Sequence, residues 1–220
     1  QVEKGAKLIL AQHGGGYGLF STFTEKHELE ICDKFFTWGW GAEQPKTLPM
    51  ASGKLKSHRY NIESDSNGTI LWLTFASERF LIKLDHIIVG ANVNGLDFIS
   101  WKKRFLNIVC SEVSKLLMMR FPIGSTGSKQ VKNSSSNEKE RLEDMYPSLK
   151  FSRSEVSTFS QEIRRSRLCV HGYFGTTWLE TLSMNFPTVV FWDLNRVHTL
   201  ASVQPYLDAL RRLKILHDTP

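Results

Sequence analysis

RLCVHGYFGTTWLETLSMNFPTVVFWD, Arg167 to Asp193, decides how the rest of the chain is read. Arg167 to Val170 opens it as an apolar, strand-like run. His171 to Gly175 (HGYFG) then supplies a turn bounded by glycines. Thr177 to Asn185 suits a helix, and Pro187 separates it from Thr188 to Trp192, a second run rich in β-branched and aromatic residues. Strand, turn, helix and strand in that order, with strands apolar on both faces, point to a parallel sheet covered by helices.

The same alternation extends in both directions. Upstream, Lys7 to Gln12 (KLILAQ) reads as a buried strand that stops at the glycine-rich His13 to Gly18, and Glu25 to Asp33 is helix-like. Lys34 to Trp40 (KFFTWGW) reads as another strand, after which Pro45 and Pro49 are expected to break the chain. Ser64 to Gly68 (SDSNG) is a turn signal, followed by the β-rich Thr69 to Phe75. The spacing of Phe105, Ile108, Val109, Val113, Leu116 and Leu117 predicts one amphipathic helix over Trp101 to Leu117, leading into a strand over Leu117 to Phe121. Gly124 to Lys139 is poor in apolar residues and reads as a flexible loop. Phe159 to Arg165 and Gln204 to Leu216 are the remaining expected helices. The expected fold class is α/β, a doubly wound parallel sheet of Rossmann-like type, with a boundary at the SDSNG turn separating 1–64 from 65–220.

Composition supports a folded chain. The 220 residues are 41% hydrophobic and 23% charged, which suffices for a sizeable core, and no apolar run approaches the length that spans a bilayer. No basic-then-apolar stretch precedes the first strand, so no signal peptide is visible, as expected if one was removed or if the chain is cut from something longer. Cys32, Cys110 and Cys169 are odd in number with no CxxC spacing, which suits a reducing compartment and offers no metal site. With 28 basic and 22 acidic residues the net charge is +6, but the basic residues lie in small scattered groups. No nucleic-acid partner is expected from that distribution.

The chemistry-bearing residues gather in a local echo. LILAQHGGGYG at Leu8 to Gly18 and RLCVHGYFGTTWLE at Arg167 to Glu180 both run apolar strand, His-Gly, aromatic, Gly. In open α/β sheets ligands collect beyond the carboxyl ends of strands, so two such loops are expected to face one cleft, unless each is only a tight turn. After the second strand, Gly175, Thr176 and Thr177 open a helix, where unpaired N–H groups and hydroxyls suit a diphosphate. Glu180, one turn further, is placed to accept both hydroxyls of a ribose; alternatively Thr176 is an N-cap and Glu180 a first-turn acid.

Val170 to Asp193 resembles the sugar-nucleotide-binding segment of GT-B glycosyltransferases. Together with AQHGGGYG (Ala11 to Gly18), DKFFTWGW (Asp33 to Trp40) and MMRFPIG (Met118 to Gly124), it resembles more narrowly a bacterial family of surface-carbohydrate transferases. The resemblance implies that 65–220 is a GT-B-type C-terminal domain binding a nucleotide-sugar donor. Residues 1–64 would then be the end of an N-terminal Rossmann-like domain with the interdomain linker. It implies a glycosyltransferase whose acceptor is a carbohydrate or lipid-linked glycan, located in the cytoplasm at the inner membrane face with peripheral membrane association. A non-catalytic nucleotide-sugar-binding module and a nucleotide-sugar 2-epimerase are the alternatives on the same fold. Within the resemblance, Gly14 and Gly15 border the donor and His171 lines its pocket. His13 serves as general base toward the acceptor or as a donor-phosphate ligand, because imidazole exchanges a proton near neutral pH. Arg120 would neutralise the leaving diphosphate through its planar guanidinium, and Glu28 would orient the acceptor. Without a DxD pair, metal-independent transfer is expected, with no cofactor beyond the donor itself.

Overall fold

Strands β4 (Thr69–Leu73) and β7 (Ser166–His171) run side by side and parallel, and the rest of the larger sheet is built outward from them. In a computed structural model of the protein, residues 4–21, 25–56, 62–74, 95–121, 137–153, 156–194 and 198–220 are described. β5 (Leu117–Arg120) and β6 (Lys150–Phe151) add beyond β4, and β8 (Thr188–Phe191) and β9 (Leu216–His217) beyond β7, all parallel. The spatial order is β6-β5-β4-β7-β8-β9. Counted from β4 this is 3-2-1-4-5-6, the doubly wound order, whose direction of winding reverses between β4 and β7.

Side-chain alternation explains why this sheet is covered on both faces. Ile70 and Trp72 of β4 join Leu117, Met119, Val170 and Phe191 in one cluster, whereas Leu71 and Leu73 join Cys169, Ile163, Met184 and Phe186 in another. Helices α3 (Gly95–Ile108), α4 (Ser111–Leu116) and α5 (Glu138–Met145) contribute to the first cluster through Trp101, Phe105, Val113, Leu116 and Leu142. Helix α6 (Phe159–Ile163) contributes to the second. Strands apolar on both faces can be stable only in such a sandwich, which is why they carry no polar alternation.

A smaller sheet lies N-terminal to this one, with the order β1 (Ile9–Ala11), β2 (Lys34–Thr37), β3 (Thr47–Pro49), again all parallel. Helix α1 (Glu25–Ile31) connects β1 to β2. The two sheets are joined by packing as well as by the chain. Leu19 and Phe20 pack in one cluster with Phe174, Trp178 and Trp192, and with Leu207 of α8 (Gln204–Arg212). Phe20 also forms an antiparallel bridge with Thr199, and the Ser21 N–H donates to the His198 carbonyl at 2.8 Å.

Four sequence expectations change. The helix expected over Trp101 to Leu117 is two helices, α3 and α4, separated at Val109 and the extended Cys110. Ile108 is exposed where the apolar stripe has rotated off the sheet, and restarting the helix turns Val113 and Leu116 back onto the core. Pro49 ends a strand instead of breaking the chain: β3 is an edge strand, so the N–H that proline lacks is not required by a further neighbour. The last helix stops at Arg212, Lys214 turns the backbone with φ 59°, and Leu216 continues into β9. The expected loop over Gly124 to Lys139 falls mostly outside the described residues. Its final two residues, Glu138 and Lys139, open α5, where buried Glu138 pairs with buried Lys102, whose ammonium pKa burial pushes down.

Candidate functional site

The carboxyl ends of β1 and β7 bring the two His-Gly loops into direct contact. The Gly15 N–H donates to Thr176 Oγ1 at 3.1 Å across the two sheets. A Cβ on Gly15 would lie 2.8 Å from the Gly175 carbonyl oxygen and 3.0 Å from Thr176 Cα, so only glycine permits this approach. The Thr176 hydroxyl is therefore not a helix cap. It makes no capping bond to α7 (Thr177–Ser183) and instead serves the opposite loop. Thr177 sits half-buried in the first turn of α7, and Gly14 lies beside Thr176 with room to spare. The β7 loop leaves the sheet at the β4/β7 reversal, where doubly wound folds bind ligands.

Glu180 is buried on α7, and its carboxylate meets Lys54 Nζ at 3.5 Å. Lys54 comes from α2 (Gly53–Lys56), the short helix after the small sheet, and its side chain is half exposed. It places a cation beside the turn that carries Thr176 and Thr177. No motif announces Lys54 in the sequence, because its segment is isolated between proline-rich and polar stretches.

His13 is exposed at the start of the first loop. Its Nδ1 lies 2.8 Å from the Tyr17 hydroxyl, which in turn donates to Glu28 Oε1 at 3.1 Å. Glu28 is thus engaged with Tyr17 instead of being turned toward an acceptor. Gln12 fixes the loop from behind: its amide donates to the Gly14 carbonyl, and its Oε1 accepts from Trp38 N–H and Trp40 Nε1, each at 2.8 Å. The WGW segment after β2 is therefore a brace for the His13 loop. Glu25 accepts from the Gly18 N–H at 2.7 Å, and burial raises its carboxyl pKa. Beyond Gly18 a cavity of about 1040 Å³ opens between Trp40, Glu25 and Lys46 on one side and Val203 and Tyr206 on the other.

Besides Glu180, two further expected site residues are buried. His171 is fully buried at the end of β7, so it does not line an accessible pocket. The Thr181 hydroxyl donates to the Trp178 carbonyl, so His171 Nε2 donates to Thr181 at 3.1 Å and the ring is held neutral. Burial lowers its pKa to about 3. An unfolded histidine titrates near ~6.5, so below that pH the unfolded state gains a proton that the folded state refuses. Stability contributed by this group is full above ~6.5 and falls by about 1.4 kcal/mol per pH unit on acidification toward 3. Urea midpoints should thus fall between pH 6.5 and 5, and His171→Gln should flatten that slope.

Arg120, expected to neutralise a diphosphate, already has partners. Its guanidinium donates to Ser152 Oγ and to the Ser157 carbonyl, both at 3.0 Å, and pairs with Glu162 Oε2 at 2.8 Å. Glu162 is presented by α6, whose start is fixed by a capping box in which Thr158 Oγ1 accepts from Gln161 N–H and Gln161 Oε1 accepts from Thr158 N–H. Ser152 and Ser157 also donate to Glu162. Arg120 thereby ties β5 to the segment after β6 and to α6. Of the aromatic residues, Trp178 and Trp192 are core.

A family model of the LIC12162 family transferases matches residues 1–220. The chain belongs to the LIC12162 family of transferases. No curated protein and no solved structure matches it. Membership in the LIC12162 family makes group transfer the chemistry to be sought in this chain. No cluster of metal-ligating side chains and no helix long and apolar enough to cross a membrane occurs among the described residues.

Proposed function

We propose that this transferase is of GT-B type and moves a sugar or related group from a nucleotide-activated donor to a surface-polysaccharide or lipid-linked acceptor. In this reading residues 65–220 bind the donor, and residues 1–64 are the end of an acceptor-side domain with its linker. The observation that carries the reading is the Gly15 to Thr176 hydrogen bond, which closes two glycine-rich loops over the reversal point of a doubly wound sheet.

Each residue has a chemical task. Peptide N–H groups around Gly175 to Thr177 face the donor diphosphate on the side away from Gly15, whose N–H already bonds Thr176, with Gly14 at the margin. Lys54 adds positive charge where the leaving diphosphate gains negative charge. Glu180 accepts from the ribose hydroxyls once Lys54 turns toward phosphate. His13 takes the acceptor proton as the new glycosidic bond forms. The acceptor enters over the cavity walled by Trp40 and Tyr206, whose rings offer flat faces to sugars. The site works in the cytoplasm, with the protein resting peripherally on the inner membrane face.

Thermal unfolding with UDP, GDP, CDP, CMP, dTDP and ADP tests the donor class. A ligand at a hundredfold excess over its Kd adds about 2.7 kcal/mol to stability, a rise of about 5–10 °C for a chain of this size. One base should give that rise, and Glu180→Gln and Thr176→Val should remove most of it. Absence of any rise with all six nucleotides at millimolar concentration would sink the nucleotide-donor reading.

A further inference from the structure

We propose that Tyr17 and Glu28 are positioning residues that hold His13 in its Nδ1–H tautomer and aim its Nε2 lone pair outward as the proton acceptor. The direction of the hydrogen bonds follows from counting protons. A tyrosine hydroxyl has a single hydrogen, and here it goes to Glu28 Oε1 at 3.1 Å. The Tyr17 oxygen therefore meets His13 Nδ1, 2.8 Å away, as an acceptor, and Nδ1 must carry the hydrogen. In the neutral ring Nε2 is then bare, and it has no partner among the described residues while His13 is exposed.

The relay is rigid where a base requires it. Tyr17 is buried, stacked on Phe35 at 5.8 Å, and meets the His13 ring edge-on at 5.0 Å. Glu28 projects from α1, and Gln12 holds the backbone on the other side of His13 through the Gly14 carbonyl. When Nε2 accepts a proton, the positive ring faces the Tyr17 oxygen and, beyond it, the Glu28 carboxylate, which stabilises the charged form. Among the described residues, the titratable side chains near this chain of bonds are Glu25 and Glu28 of α1 and the buried Cys32 thiol, which packs in one cluster with Tyr17 and Phe35.

The use of Nε2 as a base rests on the transferase reading, whereas the tautomer does not, so the test separates the two. Long-range proton–nitrogen correlation spectra of the full chain labelled with 15N-histidine, recorded above pH 8, report which ring nitrogen carries hydrogen. His13, assigned by its loss in His13→Gln, should show a protonated Nδ1 and a bare Nε2. Tyr17→Phe keeps the stacked ring and should lose that pattern in favour of Nε2–H, as should Glu28→Gln, whose amide can donate to the Tyr17 oxygen and reverse the relay. A wild-type His13 in the Nε2–H form, or a pattern unchanged in Tyr17→Phe, overturns the proposal. The expected tautomer in a chain that no nucleotide stabilises would uphold the relay and sink the donor reading.

Discussion

Arg120→Ala should lower the melting temperature by about 10 °C with little direct effect on nucleotide binding. Arg120 and Glu162 are both nearly buried, and truncating the arginine leaves the Glu162 carboxylate facing only Ser152, Ser157 and the apolar surroundings of α6. Breaking a buried pair in this way costs about 3–5 kcal/mol, and a chain of this size loses roughly 2–4 °C per kcal/mol. Arg120→Lys should recover only part of the loss, because an ammonium cannot reach Ser152, the Ser157 carbonyl and Glu162 with the geometry of the planar fork. Scanning calorimetry of the two variants distinguishes this from the role expected of Arg120 as a phosphate ligand. A phosphate ligand would leave the melting temperature of the free protein unchanged and abolish the nucleotide-dependent rise.

Gly15→Val should be the most damaging substitution in the loops. The added Cβ alone would stand 2.8 Å from the Gly175 carbonyl oxygen and 3.0 Å from Thr176 Cα, both of them backbone atoms that cannot swing aside. Relief requires separating the loops, which costs the Gly15 to Thr176 hydrogen bond as well as about 1–3 kcal/mol of overpacking. The expected outcome is a loss of about 3 kcal/mol in denaturant unfolding and of any nucleotide-induced stabilisation. Gly14→Ala is the control. A Cβ there would lie 3.7 Å from Thr176 Oγ1, an ordinary contact, so its unfolding free energy should stay within about 0.5 kcal/mol of the parent. Equal effects at the two positions would refute the close approach of the loops.

The legibility of this chain follows the range of the interactions involved. β4, β7 and β8 could be read directly, because TILWL, RLCV and TVVF each carry their burial in their own composition. The elements misread or missed are those decided by remote partners. β6 and β9 are two-residue edge strands that exist only because β5 and β8 present unpaired backbone groups beside them. The break at Val109 and Cys110 was invisible because the apolar spacing continues across it; the core's position, not the spacing, turns the chain there. In the site, the echo of two His-Gly turns was legible, but the task of each side chain was not. His171 and His13 follow similar strands. Yet one is sealed against Thr181 and the other is left exposed, a difference set by what packs against each turn and not by the strand that precedes it.

By itself, then, the sequence determined the α/β class, the positions of the apolar strands and the two glycine-rich turns, since each depends on local composition and on the period of the backbone. Only the tertiary structure decided the 3-2-1-4-5-6 order, the hydrogen bond from Gly15 to Thr176, the engagement of Arg120 by Glu162 and the line from His13 through Tyr17 to Glu28. Gly15 and Thr176 are 161 positions apart. A contact across such a separation leaves no periodic trace in the chain, because it is set by where whole strands and helices come to rest when the apolar faces are buried.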